Sequence, residues 1–234
     1  MTTVVLVHGA FHDSSCWELV RTDLDERGVP NLSPDLPFTG LDGDAGTVQA
    51  LLDNVDGPVV LCGHSYGGMV ISQAASGRDD VDHLVYLCAV QVETPEELTA
   101  SFKPTLLMEH LEHSDDGVTQ VDADWAVECF YHDCDPEVAA RATSHLRPMA
   151  NGIGPAPDAP PVRPAWMDIT STYVVCTDDR TVHPDSQRAM AMHADDVVEM
   201  DTSHSPMLSR PDLVADLLAE LASRVADAEA EGAR

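Results

Sequence analysis

The hexapeptide Gly63-His64-Ser65-Tyr66-Gly67-Gly68 carries the strongest chemical signal in the chain. The apolar run Pro58-Val59-Val60-Leu61-Cys62 precedes it, and Met69-Val70-Ile71-Ser72-Gln73-Ala74-Ala75 follows it. A buried strand, a turn of small residues and a helix, in that order, put a serine at the tip of a sharp chain reversal. Gly63 and Gly67 flank it because a Cβ at either place would crowd the neighbouring strand and helix. The serine also sits at a helix N-terminus, where the dipole and free N–H groups favour negative charge. A serine hydroxyl is a weak nucleophile at neutral pH and needs an adjacent base, a histidine oriented by a buried carboxylate. Two later stretches offer those partners: Thr177-Asp178-Asp179-Arg180 and Asp201-Thr202-Ser203-His204-Ser205-Pro206, each at the end of a strand-like run.

The elements that must position these residues can be read from apolar patterning. Thr3-Val4-Val5-Leu6-Val7 is a continuous apolar run, as expected for a strand buried on both faces of a parallel sheet, and it ends in His8-Gly9-Ala10-Phe11. Residues 14–27 read as a helix with Gly28 as C-cap. Residues 31–37 read as a second strand running into a turn. A Gly- and Asp-rich loop at 40–46 is expected before a helix at about 46–54. Residues 83–89, 172–176 and 197–200 read as further strands. Helices are expected from Pro184 to about Met192 and over 211–227, with a fraying tail from Ala228. Alternating strands and helices with short connections predict an α/β protein: a doubly wound, mostly parallel sheet of about six strands. No internal repeat is found.

From about 91 to 164 the pattern changes. Helix-like pieces at 95–101, 104–112 and 135–147 alternate with acidic, irregular stretches, and Pro155, Pro157, Pro160, Pro161 and Pro164 form a proline-rich return. We read this as a helical cap inserted into a single domain spanning 1–234. A cap shapes a substrate pocket and excludes water. Phe11, Trp125, Phe130 and Tyr131, with Met108 and Met149, are the candidates to line that pocket; the alternative for the cap residues is that they form the cap's own core. Cys129, His132 and Cys134 are close enough in sequence to suggest a metal, but no fourth ligand accompanies them, and no metal is expected.

Composition narrows the partners. The chain has 12 Lys+Arg against 41 Asp+Glu in 234 residues, a net charge of −29, and Lys103 is its only lysine. Such a surface repels nucleic acid and anionic membranes. The charge is spread along the chain, which suits a solvated surface and an organism with an acidic proteome. Met1-Thr2-Thr3 leads directly into the first strand without signal-peptide features, no apolar run approaches spanning length, and the six cysteines do not form a disulfide pattern. A cytoplasmic location is expected; the oligomeric state is left open.

Taken together, these residues resemble the α/β-hydrolase superfamily over almost the whole chain. Val7-His8-Gly9-Ala10-Phe11-His12 running on to Cys16-Trp17, Asp35-Leu36-Pro37, the Ser65 hexapeptide and His204-Ser205-Pro206 are similar, more narrowly, to small esterases related to plant methylesterases and hydroxynitrile lyases. The resemblance implies a Ser-Asp-His order along the chain, hence Ser65, Asp179 and His204, and no cofactor. His204 alone follows the last strand and precedes the last helix; His183 and His193 surround the preceding helix. Asp178 competes with Asp179, which is preferred because Asp-Arg-x-x-x-Pro sets its carboxylate at the start of the loop leading to Pro184. The resemblance further implies an oxyanion hole from the amides of Ala10 and Tyr66, with His8 and His12 holding the loop. The implied activity is hydrolysis of a small carboxylic ester through an acyl-enzyme. A lyase on the same scaffold and a ligand-binding protein without turnover are the alternatives. The lyases usually carry Thr where this chain has Gly9, and Lys where it has Ser205.

Overall fold

A computed structural model describes residues 1–115, 117–150 and 162–232. The strands are β1 (Thr3–Val7), β2 (Asn31–Leu32), β3 (Val59–His64), β4 (Val81–Leu87), β5 (Leu111–His113), β6 (Val118–Val121), β7 (Met149–Ala150), β8 (Ser171–Cys176) and β9 (Asp196–Met200). Six of them form one sheet in the order β2-β1-β3-β4-β8-β9, with every neighbouring pair parallel. This is the α/β fold expected from the apolar runs. β1, β3 and β8 are buried along their whole length because helices cover both faces of the sheet.

The helices that do this are α1 (Glu18–Glu26), α2 (Leu41–Leu52), α3 (Gly67–Ala74), α7 (Pro184–Met190) and α9 (Pro211–Gly232), with the short α4 (Pro95–Ser101), α5 (Leu106–Glu109), α6 (Pro136–Ser144) and α8 (Pro206–Ser209) between them. α1 packs with α9 on one side of the sheet, and α2 with α3 on the other. Among the boundaries that differ from the sequence reading are two helix ends. α2 begins at Leu41, not near 46, because Gly40 at φ 103 turns the chain and Asp42 and Asp44 then fall in the favourable first turn. α9 continues to Gly232, where a frayed tail was expected from Ala228.

The region between β4 and β8 also differs from its expected form. Helices form at 95–101 and 136–144, but the helix expected over 104–112 is the four-residue α5 followed by a strand. β5, β6 and β7 make a small antiparallel sheet, with Gly117 at φ 83 in the β5–β6 turn. Val127–Tyr131 is a π-helical turn. Such turns are rare and cluster at functional sites. The prolines at 155, 157, 160 and 161 lie outside the described residues; Pro164 caps a one-turn helix, Ala165–Met167. Among the described residues, no helix is long and apolar enough to cross a membrane.

Candidate active site

The turn between β3 and α3 holds Ser65 at φ 52, a left-handed conformation that costs energy for any residue with a Cβ. Close packing enforces it. A Cβ at Gly63 would lie 2.5 Å from the Gly67 carbonyl oxygen, and one at Gly67 would lie 2.7 Å from that of Val7. Backbone hydrogen bonds then tie the turn to the end of β4: Ser65 N–H donates to Leu87 C=O at 3.2 Å, and Val90 N–H to Ser65 C=O at 3.0 Å. Gly9 is equally constrained, since a Cβ there would stand 2.8 Å from the Ser65 Cβ.

The loops after β8 and β9 bring Asp179 and His204 together. His204 Nδ1 donates to Asp179 Oδ2 at 2.7 Å, with both side chains buried. Asp179 accepts three more hydrogen bonds: Thr181 N–H and Val182 N–H on Oδ1 at 2.7 and 2.8 Å, and Gln187 Nε2 on Oδ2 at 2.8 Å. Burying a carboxylate is costly unless it is paired and hydrogen-bonded, and here it is both. Gln187, on α7, was not singled out from the sequence; its Oε1 also accepts from Cys176 N–H at 2.8 Å, so one amide clamps the strand end to the carboxylate. Asp178 points elsewhere. Its carboxylate meets His132 at 3.0 Å and is more than half exposed.

The His204 loop is fixed from behind. His64 Nε2 donates to the His204 carbonyl at 2.8 Å, and the two rings are 4.6 Å apart. Ser203 N–H donates to Asp133 at 2.8 Å, and Ser203 Oγ to the Phe130 carbonyl at 3.1 Å. The Ser65 hydroxyl makes no hydrogen bond among the described residues. In unliganded sites the nucleophile–base contact is often loose and tightens with substrate.

The loop after β1 presents the Ala10 amide. Its carbonyls are held one by one: Gly9 C=O accepts from His8 Nδ1 at 2.9 Å, Ala10 C=O from His12 Nδ1 at 2.7 Å, and Phe11 C=O from Arg147 N–H at 2.7 Å. His8 Nε2 accepts Leu36 N–H at 2.9 Å, which is what the Asp35-Leu36-Pro37 turn does. Neither the Ala10 nor the Tyr66 amide makes a hydrogen bond among the described residues. Tyr66 is anchored through its side chain, whose O–H donates to the buried Asp44 at 2.7 Å.

Of the residues expected to line a pocket, Phe11 and Phe130 come to the site. Their rings are 6.4 Å apart, and Phe130 is 6.0 Å from the His204 ring. Tyr131 instead donates its O–H to His12 Nε2 at 2.8 Å. Trp125 stacks on His110 with ring centroids 3.8 Å apart and is partly exposed. Met149 is buried and Met108 exposed. Cys129 and Cys134 are thiols pushed up to about 11 and about 12, chiefly by burial. His132 is engaged with Asp178 and Cys134 with Asp133.

Burial dominates the titration of the loop histidines. His12 is lowered to about 4, and His8 and His64 also shift down, because each charged form would lose its hydration. The unfolded chain therefore binds more protons than the native state between pH 6.5 and 4. The stabilisation from keeping His12 neutral is complete above 6.5 and is lost as pH falls toward 4, at a cost of about 3 kcal/mol. Urea denaturation at pH 7 and pH 4.5 should show this loss; equal stability at the two values would overturn it.

An all-parallel sheet with a strained serine between β3 and α3, and an Asp–His pair on the loops after β8 and β9, defines a class of enzyme. Residues 4–217 match the Alpha/beta hydrolase family, and the chain belongs to it. Among its relatives is an alpha/beta hydrolase, nvfD, of Aspergillus novofumigatus, 31% identical over 92% of this chain and 94% of that one. Methylesterase 3 of Arabidopsis thaliana is 26% identical over 95% of this chain and 97% of its own length. The crystal structure of a pyrethroid hydrolase from Sphingobium faniae superposes with a TM-score of 0.82 at 25% identity, covering 97% of this chain and 99% of that one.

Proposed function

We propose that the protein is a serine-dependent hydrolase of small carboxylic esters. The observation that carries this reading is the buried Asp179–His204 pair, 2.7 Å apart, whose His204 carbonyl is bonded by His64, the residue before a serine held at φ 52. In this reading His204 Nε2 takes the Ser65 proton as Oγ attacks the ester carbonyl. Asp179 keeps the Nδ1 proton in place and stabilises the imidazolium. The developing oxyanion is received by the Ala10 and Tyr66 amides, the second at the start of α3, where the helix dipole adds to the attraction. The imidazolium then protonates the departing alcohol, and water activated by His204 cleaves the acyl-enzyme. Phe11 and Phe130 supply an apolar flank for the substrate. No step calls on a cofactor, the ligand is a small-molecule ester, and the six free thiols suit the reducing cytoplasm.

Cyanohydrin cleavage on the same scaffold is the competing chemistry, and two observations count against it. Cyanide leaves as an anion and calls for a nearby positive charge. Ser205 is a buried neutral hydroxyl, and Lys103, the only lysine, has its Nζ 2.5 Å from Asp185 on the surface. Gly9 offers no hydroxyl to hold a substrate alcohol, and any Cβ there would displace Ser65. The test is a panel of chromogenic esters of varied acyl length, run beside mandelonitrile and acetone cyanohydrin, with Ser65→Ala as the blank. Ester turnover above the blank with no cyanide release is expected. Cyanide release without ester turnover would overturn the reading.

A further inference from the structure

The π-helical turn Val127–Tyr131 touches three loops of the site, those that follow β1, β8 and β9. The Cys129 carbonyl accepts from Thr181 Oγ1 at 2.9 Å, next to Asp179, and Glu128 pairs with Arg180 in the same loop. The Phe130 carbonyl accepts from Ser203, next to His204. Tyr131, the following residue, reaches the third loop, donating its O–H to His12 Nε2 at 2.8 Å. Two carbonyls and one side chain of consecutive residues in the turn thus each serve a different loop.

Tyr131 is completely buried and His12 nearly so. That makes the hydrogen-bond roles unambiguous. The Ala10 carbonyl can only accept, so His12 Nδ1 must carry a proton to donate to it at 2.7 Å. In a neutral imidazole the other nitrogen is then an acceptor, and it takes the Tyr131 O–H. Tyr131 and the Ala10 carbonyl therefore select the same tautomer from opposite sides of one ring. Phe11, next in the chain, stands at φ 65. A phenylalanine held in the left-handed region relaxes most simply by rotating the peptide before it, which would carry the Ala10 carbonyl away from its present direction. The hydrogen bond from His12 opposes that rotation. With His8 holding the preceding peptide through Gly9 C=O, both peptides that flank the Ala10 Cα are pinned.

We propose that Tyr131 is a positioning residue for the oxyanion hole, acting through the tautomer of His12 to hold the Ala10–Phe11 peptide and so the backbone that carries the Ala10 N–H, and is not part of the substrate-binding wall. This rests on the reading that the Ala10 amide receives the oxyanion. The relay runs from Tyr131 O–H to His12 Nε2, and from His12 Nδ1–H to Ala10 C=O. Without the phenolic O–H, the tautomer with the proton on Nε2 becomes accessible. Its bare Nδ1 would then face the Ala10 oxygen and repel it.

The relay makes a prediction that needs no variant. Long-range proton–nitrogen spectra of the 15N-histidine-labelled protein at pH 7 should show His12 with Nδ1 protonated and Nε2 bare. A protonated Nε2 would overturn the proposal whatever the substrate is. Tyr131→Phe keeps the ring and removes only the O–H, and should lower kcat roughly tenfold to a hundredfold with KM little changed, less than the loss of an oxyanion donor itself. His12→Asn places an amide N–H where Nδ1 stands and has no tautomer to select. In that background Tyr131→Phe should change kcat by less than about twofold, the non-additivity expected of residues that act as one unit. Equal losses in the two backgrounds, or a rise in KM with kcat unchanged, would assign Tyr131 to packing or to the substrate wall and overturn the proposal. The distinction from a failed esterase reading is clear: that failure removes Ser65-dependent turnover from the parent protein, while the tautomer spectrum still decides the relay.

Discussion

Asp179→Asn is expected to lower kcat by about 10⁴-fold, the scale of the same change in serine proteases. Here the geometry leaves the asparagine no benign orientation. Oδ1 accepts two backbone N–H groups, from Thr181 and Val182. The amide oxygen of Asn must stay there, because turning the NH₂ toward two N–H donors would break both bonds. The NH₂ group then occupies the Oδ2 position, where it meets two donors, His204 Nδ1 and Gln187 Nε2. His204 can relieve the conflict only by giving up its Nδ1 proton. The proton moves to Nε2, and the ring can no longer accept a proton from Ser65. Asp178→Asn should be mild by comparison, since among the described residues its exposed carboxylate contacts only His132. The check is kcat for both variants on one ester, with urea unfolding to confirm that each is folded. A large loss at Asp178 with a small one at Asp179 would reassign the acid.

Which parts of this arrangement were legible follows from how locally they are encoded. β1, β3 and β8 lie between two helix layers, so their sequences are nearly unbroken apolar runs, visible without any partner. The Ser65 turn is encoded within six residues by its own glycines. The small sheet of β5, β6 and β7 was not legible. Its strands are two to four residues long and β5 and β6 contain no buried residue, so Leu111 reads as the end of a helical pattern and not as a strand start. The π turn leaves no periodic trace over five residues. The partner of Tyr131 was not legible for a similar reason. An aromatic in a cap suggests a pocket wall, and nothing local shows that its O–H meets a histidine 119 residues away. Gln187 is the same case: an amide on a helix becomes informative only when the buried carboxylate it faces is known. His12 stood in plain view, four residues after His8, but its tautomer depends on Tyr131.

Ser65→Ala is expected to abolish turnover, lowering kcat by roughly 10⁶-fold, the scale seen when the nucleophile of a serine triad is removed. Three features of the site make the loss hard to rescue. The backbone at φ 52 is fixed by Gly63, Gly67 and the bonds to Leu87 and Val90, so the turn will not shift to present another group. His204, Asp179 and the Ala10 loop are each held by contacts that do not involve the Ser65 hydroxyl, so they should survive its removal unchanged. The residual rate then measures what the oxyanion amides and the base achieve on water alone. The substitution should also leave stability nearly as it was, because Oγ makes no hydrogen bond among the described residues and Ala meets the same strain at φ 52 as Ser does. A fluorophosphonate should label the parent protein at Ser65 by forming an Oγ–phosphorus bond and expelling fluoride, and peptide mass mapping locates the adduct. The alanine variant should take up no label. Labelling at another serine in the parent protein, or ester turnover by the folded variant within tenfold of the parent, would remove Ser65 from the centre of the reaction and with it the roles given to His204 and Asp179.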